Sequence, residues 1–220
     1  MKVHRHVART LAVAALSLVA FAGSASATSI SIVNGSFEEG IDPDPYVGFT
    51  TVGTGVTGAD IDGWKVTGSI DYIGTYWQAA DGNRSLDMNG YFAAGRVEQD
   101  IYVPENGNVS VRFAMAGNVD DAPTVKELRV SLESTSLYQD FTFNITGHTK
   151  TNMGWVYYTA NFAGITTGTY TLAFASINDP DGAWGAALDN VSASVPDGGA
   201  TATLLGVALA GLGFLRRKQS

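Results

Sequence analysis

Val109-Ser110-Val111-Arg112-Phe113-Ala114-Met115 places apolar side chains at every second position, with Arg112 among the positions between. A period of two belongs to a strand with one face on a core and the other on solvent, because successive strand side chains point to opposite faces. The alternation returns in Leu128, Val130 and Leu132, opposed by Arg129, Ser131 and Glu133, and again in Phe141, Phe143 and Ile145 and in Tyr170, Leu172 and Phe174. Further strands are expected at 29–33, 97–103, 155–162 and 188–195, each short and bounded by Gly, Asn, Asp or Pro. No stretch of helical length carries a 3.6-residue apolar stripe, and no internal repeat is visible. Many short alternating strands predict an all-β fold, an antiparallel β-sandwich. Residues 42–63, with Pro43, Pro45, Gly48, Gly53, Gly55 and Gly58 among Thr and Val, are expected to form a long loop with little regular structure. Gly53 to Gly58 spells G-x-G-x-x-G, but no βαβ unit surrounds it, which excludes a dinucleotide site.

The two ends of the chain read differently. Lys2, Arg5 and Arg9 precede an apolar run from Leu11 to Ala22, and Ala25-Ser26-Ala27 follows. That is the order of a secretory signal peptide, with cleavage expected after Ala27. At the other end Val195-Pro196-Asp197-Gly198-Gly199 leads into an apolar stretch from Ala200 to Leu215 and then Arg216-Arg217-Lys218. Such a segment halts in a bilayer with its cationic end in the cytoplasm. The stretch is sixteen residues long (200–215), just short of a full span, so crossing would use flanking residues or local thinning. Gly206, Ala210, Gly211 and Gly213 could equally form a small-residue helix-packing face. The chain thus divides into a signal peptide (1–27), a β-sandwich domain (28–195) and a sorting segment with a hydrophobic helix (196–220).

Together these ends resemble the PEP-CTERM class of bacterial surface proteins, with Pro196-Asp197-Gly198-Gly199 as a variant of the usual motif. The resemblance implies export through the Sec translocon, transient anchoring in the inner membrane of a Gram-negative bacterium, and processing by an exosortase. It also implies a secreted or cell-surface destination. A tail retained as a permanent anchor is the alternative.

Residues 28–195 are 168 in number, enough for one domain with a full core. They hold 7 of the 13 basic residues and 20 of the 21 acidic ones, a formal charge of −13. Such a surface repels phosphate backbones and lacks a basic stripe, which argues against nucleic acid as a partner. There is no cysteine, so no disulfide holds the fold, and His148 is the one histidine of this segment, which supplies zinc or iron poorly.

Several phrases then occur in a telling order: Asn34-Gly35-Ser36-Phe37-Glu38, Ile61-Asp62-Gly63-Trp64, Gly68-Ser69-Ile70-Asp71-Tyr72, Asp81-Gly82-Asn83-Arg84-Ser85-Leu86-Asp87, Gly154-Trp155 and Ala187-Leu188-Asp189-Asn190-Val191. This order resembles the choice-of-anchor C family, similar to the domain of unknown function in plant cell-wall proteins. The resemblance implies a galactose-binding-like jelly-roll sandwich and adhesion to polysaccharide. It also implies a structural Ca²⁺ between the first and last strands, held by Glu38 and Asp189, with Ser36 and Asn34 adding oxygens.

Sugar binding needs aromatic faces and planar polar groups, and Tyr72, Tyr76, Trp77, Arg84, Asn89 and Tyr91 cluster in one stretch. The ligand-binding candidates are Tyr76, Trp77, Arg84 and Tyr91, together with Trp184 in the Gly-rich loop 181–185; Trp64 and Trp155 read as core. Core packing is the competing fate for every one of these rings. Catalysis is not expected. Glu98 and Asp100 share a strand face and Asp120-Asp121 sits in a turn, but nothing marks a desolvated acid or a cleft. His148 lies in a turn and no Gly-x-Ser-x-Gly elbow is present. The expectation is a non-catalytic carbohydrate-binding or adhesion module associated with exopolysaccharide. The alternatives are a structural matrix protein without a defined ligand and, behind it, a glycoside hydrolase.

Overall fold

A computed structural model describes residues 27–53, 61–91, 93–177 and 182–196. The expected signal peptide and sorting helix lie outside these residues, as does most of the glycine motif at 53–58. Among the described residues no helix is long and apolar enough to cross a membrane.

Fourteen strands follow in order: β1 (Thr28–Ile30), β2 (Phe49–Gly53), β3 (Lys65–Thr67), β4 (Ser69–Ile73), β5 (Ser85–Asp87), β6 (Asn89–Gly90), β7 (Ala93–Ala94), β8 (Arg96–Val103), β9 (Gly107–Gly117), β10 (Val125–Leu132), β11 (Leu137–Asn144), β12 (Val156–Ile165), β13 (Gly168–Ser176) and β14 (Ala186–Val195). One sheet runs β12-β9-β14-β5-β4-β2, with β1 also paired to β14; the other runs β11-β10-β13-β8-β3. All these pairings are antiparallel. The expected all-β antiparallel sandwich is what the chain forms.

The alternating stretch supplies the centre. Val109, Val111, Phe113 and Met115 of β9 are fully buried. Phe113 stands edge-on to Phe141 at 5.1 Å and to Phe174 at 5.4 Å, and stacks with Tyr158 at 6.0 Å. Phe141 and Phe174 come from the five-stranded sheet, so one ring ties both layers. Trp64 extends the hub, 5.2 Å from Phe37 and 6.2 Å from Phe174, with its indole N–H donated to Asn34 O at 3.0 Å. The expected core role of Trp64 holds. Trp155 is half-buried against the core and donates to Gln78 O.

Where two edge strands face each other, the Gln139 side chain stands in for a strand pair. Its Nε2 donates to Asn161 O at 2.6 Å, and its Oε1 accepts from Asn161 N at 3.3 Å. Backbone groups that would otherwise template a foreign strand are thereby engaged.

The expected loop at 42–63 holds a strand, β2, paired along its whole length with β4. Its Thr50, Thr51 and Gly53 are small and polar, which hid it. A bulge between Asp189 and Ser192 adds one residue to β14 opposite β9. Asn190 takes φ 47° there, and Gly35 packs so closely that a Cβ would lie 2.2 Å from Val191 O. The extra residue returns Val191, Ala193 and Val195 to the core while leaving Asp189 on the other face. At the far end of β14, Val195 pairs with Thr28 of β1.

Candidate functional site

On the outer side of the seven-stranded sheet, register places Asp71 of β4 beside Asp87 of β5 and Asp87 beside Ala187 of β14. An outward strand face is normally wet, yet Asp71, Asp87, Ser85 and Asp189 are buried. Loops cover them. Trp77 donates its indole N–H to Ser85 Oγ at 2.8 Å, and Asn118 Nδ2 donates to Asp87 Oδ2 at 2.7 Å. The 74–84 loop is fastened in turn to the 145–155 segment by Gln78 N donating to Lys150 O at 2.9 Å. Tyr76 OH donates to Asp120 Oδ2 at 2.6 Å, while Lys150 pairs with Asp120 at 2.8 Å and lies 3.7 Å above the Tyr76 ring.

Two carboxylates pin the end of this cover. Asp189 Oδ2 accepts from the N–H groups of Ala80 at 2.8 Å and Asp81 at 2.9 Å, and its Oδ1 accepts from Asn190 N at 2.6 Å. Glu38 Oε1 accepts from Asn83 N and Arg84 N, both at 2.8 Å. The residues expected to share a calcium ion therefore converge, but on four amides of one loop. Gly82 sits so tightly over Glu38 that a Cβ would lie 2.3 Å from Oε1. Calcium takes six to eight oxygens. Here both oxygens of Asp189 and one of Glu38 face N–H donors, Ser36 lies half-buried in the preceding turn, and no group of three or more acidic or imidazole side chains could hold a metal among the described residues. The arrangement is a loop clamp and does not fit a shared cation.

Burial raises the proton affinity of the covered acids: Asp71 to about 6, Asp189 to about 7 and Asp87 to about 8. Lys126, buried at the same end, is pushed down to about 8 by desolvation. Its ammonium donates to Asp121 O at 2.8 Å and Trp184 O at 2.7 Å, joining two loops.

The clamp positions Arg84. Its Nη1 donates to Ile41 O at 2.8 Å and Tyr72 OH at 3.1 Å, and its Nη2 to Asp42 Oδ1 at 2.8 Å. Tyr72 OH in turn donates to Phe37 O. Beside this guanidinium opens a cleft of about 370 Å³ lined by Asp42, Pro43, Asp44, Pro45, Gly74, Thr75, Asn83 and Arg84. That volume falls within the range of small-molecule sites.

Of the sequence candidates, only Arg84 lines this cleft. Trp77 is corrected: its ring is 4% exposed and its N–H is taken by Ser85, so it packs the cover and has no face for a sugar. Tyr72 and Asn89 are likewise buried. Tyr76 is half-buried under Lys150, Trp184 is half-buried beside Lys126, and Tyr91 is exposed. Sequence reasoning left out Asp42 and Asp44, which read as turn carboxylates of a long loop, and Thr75 and Asn83, which lie beyond that loop where no local pattern points to a ligand. The acids weighed for catalysis are elsewhere. Glu98 is paired with Lys65 at 2.7 Å and Arg96 at 2.8 Å, and Asp100 accepts from Thr171 Oγ1. His148 packs on Phe143 at 5.2 Å beneath Gly154.

Residues 30–194 match the family described as a protein of unknown function, DUF642. The chain belongs to the DUF642 family. Residues 194–218 match the VPDSG-CTERM motif, a PEP-CTERM-like sorting signal, with Gly198 where that motif's name has Ser. A DUF642 domain followed by this motif is consistent with an exosortase-sorted, exported protein. Among curated proteins, Halomucin of Haloquadratum walsbyi is 32% identical over 219 aligned residues, covering 88% of this chain. The chain spans 2% of Halomucin's length. Among solved structures, TmCBM61 in complex with β-1,4-galactotriose is 17% identical at TM-score 0.44, over 60% of this chain and 88% of that one. The CBM22-1 xylan-binding domain of Paenibacillus barcinonensis Xyn10C is 19% identical at TM-score 0.40, over 64% of this chain and 88% of that one.

Proposed function

We propose that this DUF642 protein is exported to the cell surface and binds carbohydrate without catalysing its cleavage, and that the cleft beside Arg84 is its sugar site. The observation that carries the reading is the way Arg84 is held. A guanidinium fixed by Ile41, Tyr72 and Asp42 on a loop clamped by Glu38 stands at the cleft wall, with three of its five N–H donors engaged and others directed by the same rigid frame. Around it the carboxylates of Asp42 and Asp44, the Asn83 amide and the Thr75 hydroxyl supply the planar and hydroxyl partners that sugar hydroxyls take, while Pro43 and Pro45 give apolar wall. Preorganised polar groups bind without an ordering cost. The sorting motif supports delivery to the surface, where polysaccharide is at hand.

The test uses residues 28–195, which contain every core residue from Ile30 to Val195. On a glycan array this domain should bind one polysaccharide class saturably, and Asn83→Ala or Thr75→Ala should weaken that binding with unfolding unchanged. Retention spread evenly over unrelated polymers, indifferent to both substitutions, would point instead to a matrix role without a defined ligand.

A further inference from the structure

Resting on the reading of the cleft as a sugar site, we infer that Tyr46 is its stacking platform and that the site selects a neutral glycan over an acidic one. Tyr46 is 96% exposed, the most exposed of the large hydrophobic side chains among the described residues. It follows directly on Pro45 of the cleft wall.

Its backbone is fixed. Asp44 Oδ1 accepts from Tyr46 N at 2.8 Å, Asp44 O accepts from Gly48 N at 2.7 Å, and Asp44 N donates to Thr50 Oγ1 at 2.9 Å. Gly48 closes the turn at φ +88°, and its carbonyl accepts from Gly74 N at 2.8 Å and Tyr76 N at 3.2 Å. A Cβ on Gly48 would lie 2.7 Å from Tyr76 N and 3.1 Å from the carbonyl carbon of Thr75, so the turn is seated on the backbone at Thr75, which also lines the cleft. Pro45 removes further freedom at the position before Tyr46.

A phenol ring almost wholly in water gains little for folding, but on a fixed backbone it offers a flat apolar face with only two side-chain torsions to order on binding. A pyranose presents the complement, an apolar C–H face rimmed by hydroxyls. The ring takes the face and the Asn83, Thr75 and Asp44 groups take the rim. Charge decides which sugar. Asp42 and Asp44 both line the cleft, the Arg84 charge is answered by Asp42 at 2.8 Å, and residues 28–195 carry 7 basic against 20 acidic side chains. A uronate would meet net repulsion at the site and across the domain.

The experiment titrates residues 28–195 with oligomers of β-1,4-galactan, β-1,4-glucan and xylan, and with oligogalacturonate, at low salt. Wild type, Tyr46→Ala, Tyr46→Phe, Tyr46→Trp and Asn83→Ala are compared, with thermal unfolding of each. The expected result is binding of a neutral oligomer and not the uronate. Tyr46→Ala should weaken it at least fivefold, Phe and Trp should retain it, and the unfolding temperature should not move. If Asn83→Ala loses binding while Tyr46→Ala keeps it, the platform role is overturned and the cleft reading stands. Preference for the uronate overturns the selectivity. Failure of every glycan overturns both this inference and the function on which it rests.

Discussion

Asp71 and Asp87 face each other across β4 and β5, both buried beneath loops on what would otherwise be the wet side of the sheet. Asp71 accepts from Thr51 Oγ1 at 2.6 Å, and Asp87 accepts from Asn118, Asn89 N and Gly185 N. Among the described residues neither has a cation in salt-bridge contact, although the Lys126 ammonium near Asp87 partly offsets its charge.

Stability should therefore rise as pH falls. Burial raises Asp71 to about 6, Asp189 to about 7 and Asp87 to about 8, whereas an unfolded aspartate titrates near 4. Across that window the folded chain binds more protons than the unfolded one, so stability is fullest at the acidic end and is lost as pH rises through the folded values. Thermal unfolding should occur several degrees higher at about pH 5 than at about pH 8, at roughly 2–4 °C per kcal/mol. Exposed carboxylates held low by arginine, such as Asp140 beside Arg129, oppose this only in stronger acid. Asp71→Asn keeps an acceptor for Thr51, removes one of the buried titrating acids, and takes away a charge that adds to the effect of burial in raising Asp87. It should flatten the profile and raise the melting temperature on the alkaline side. A profile as steep as wild type would contradict the pairing.

Calcium should leave the domain indifferent. An ion that bound the folded state at a hundred times its Kd would add about 2.7 kcal/mol, a shift of several degrees. Calorimetry with millimolar calcium and with chelator should give one melting temperature. By contrast, Glu38→Ala strands the amides of Asn83 and Arg84, and should cost about 1–3 kcal/mol and weaken sugar binding with it.

Two aromatic substitutions should separate packing from exposure. Trp77→Ala removes a buried ring and the partner of Ser85, so a loss of about 3–5 kcal/mol is expected in chemical denaturation. Tyr91→Ala, at a ring that is 72% exposed, should stay within about 0.5 kcal/mol of wild type.

Gln139→Ala should free Asn161 at the closed side of the sandwich. The stability loss expected is about 1 kcal/mol, and the sharper sign is a rise in concentration-dependent association by light scattering, since an edge strand regains unpaired groups.

Strands β9, β10 and β13 were plain in the sequence because polar residues separate the core-facing ones over part of each, as at Ser110 and Arg112, at Arg129 and Ser131, and at Thr169 and Thr171. β4 was not. Ser69-Ile70-Asp71-Tyr72 alternates for only four residues before Ile73 breaks the pattern, too short a run to stand out, and the strand is buried by the core below and the loops above. The same cover misled the search for sugar-binding rings. Trp77 looked available because no local pattern tells a loop that folds back over a sheet from one that stands free. Glu38 and Asp189 were picked out together, and they do converge. Sequence could not say that the partner between them would be a row of amides. Tyr46 escaped for the opposite reason, since its exposure depends on Gly48 and Asp44 closing a turn inside a segment that reads as loop.

The pairing of Val195 with Thr28 has a mechanical meaning. β14 is bonded along one side by β9 and along the other by β5 and β1, and its last residue adjoins the sorting motif. Tension drawn through the chain past Val195 runs along that strand, parallel to both ladders. The bonds on either side would bear the pull together in shear and would not peel open one by one. A domain built this way can bear a pull on its C-terminal end while a strand bonded on both sides serves as the stem.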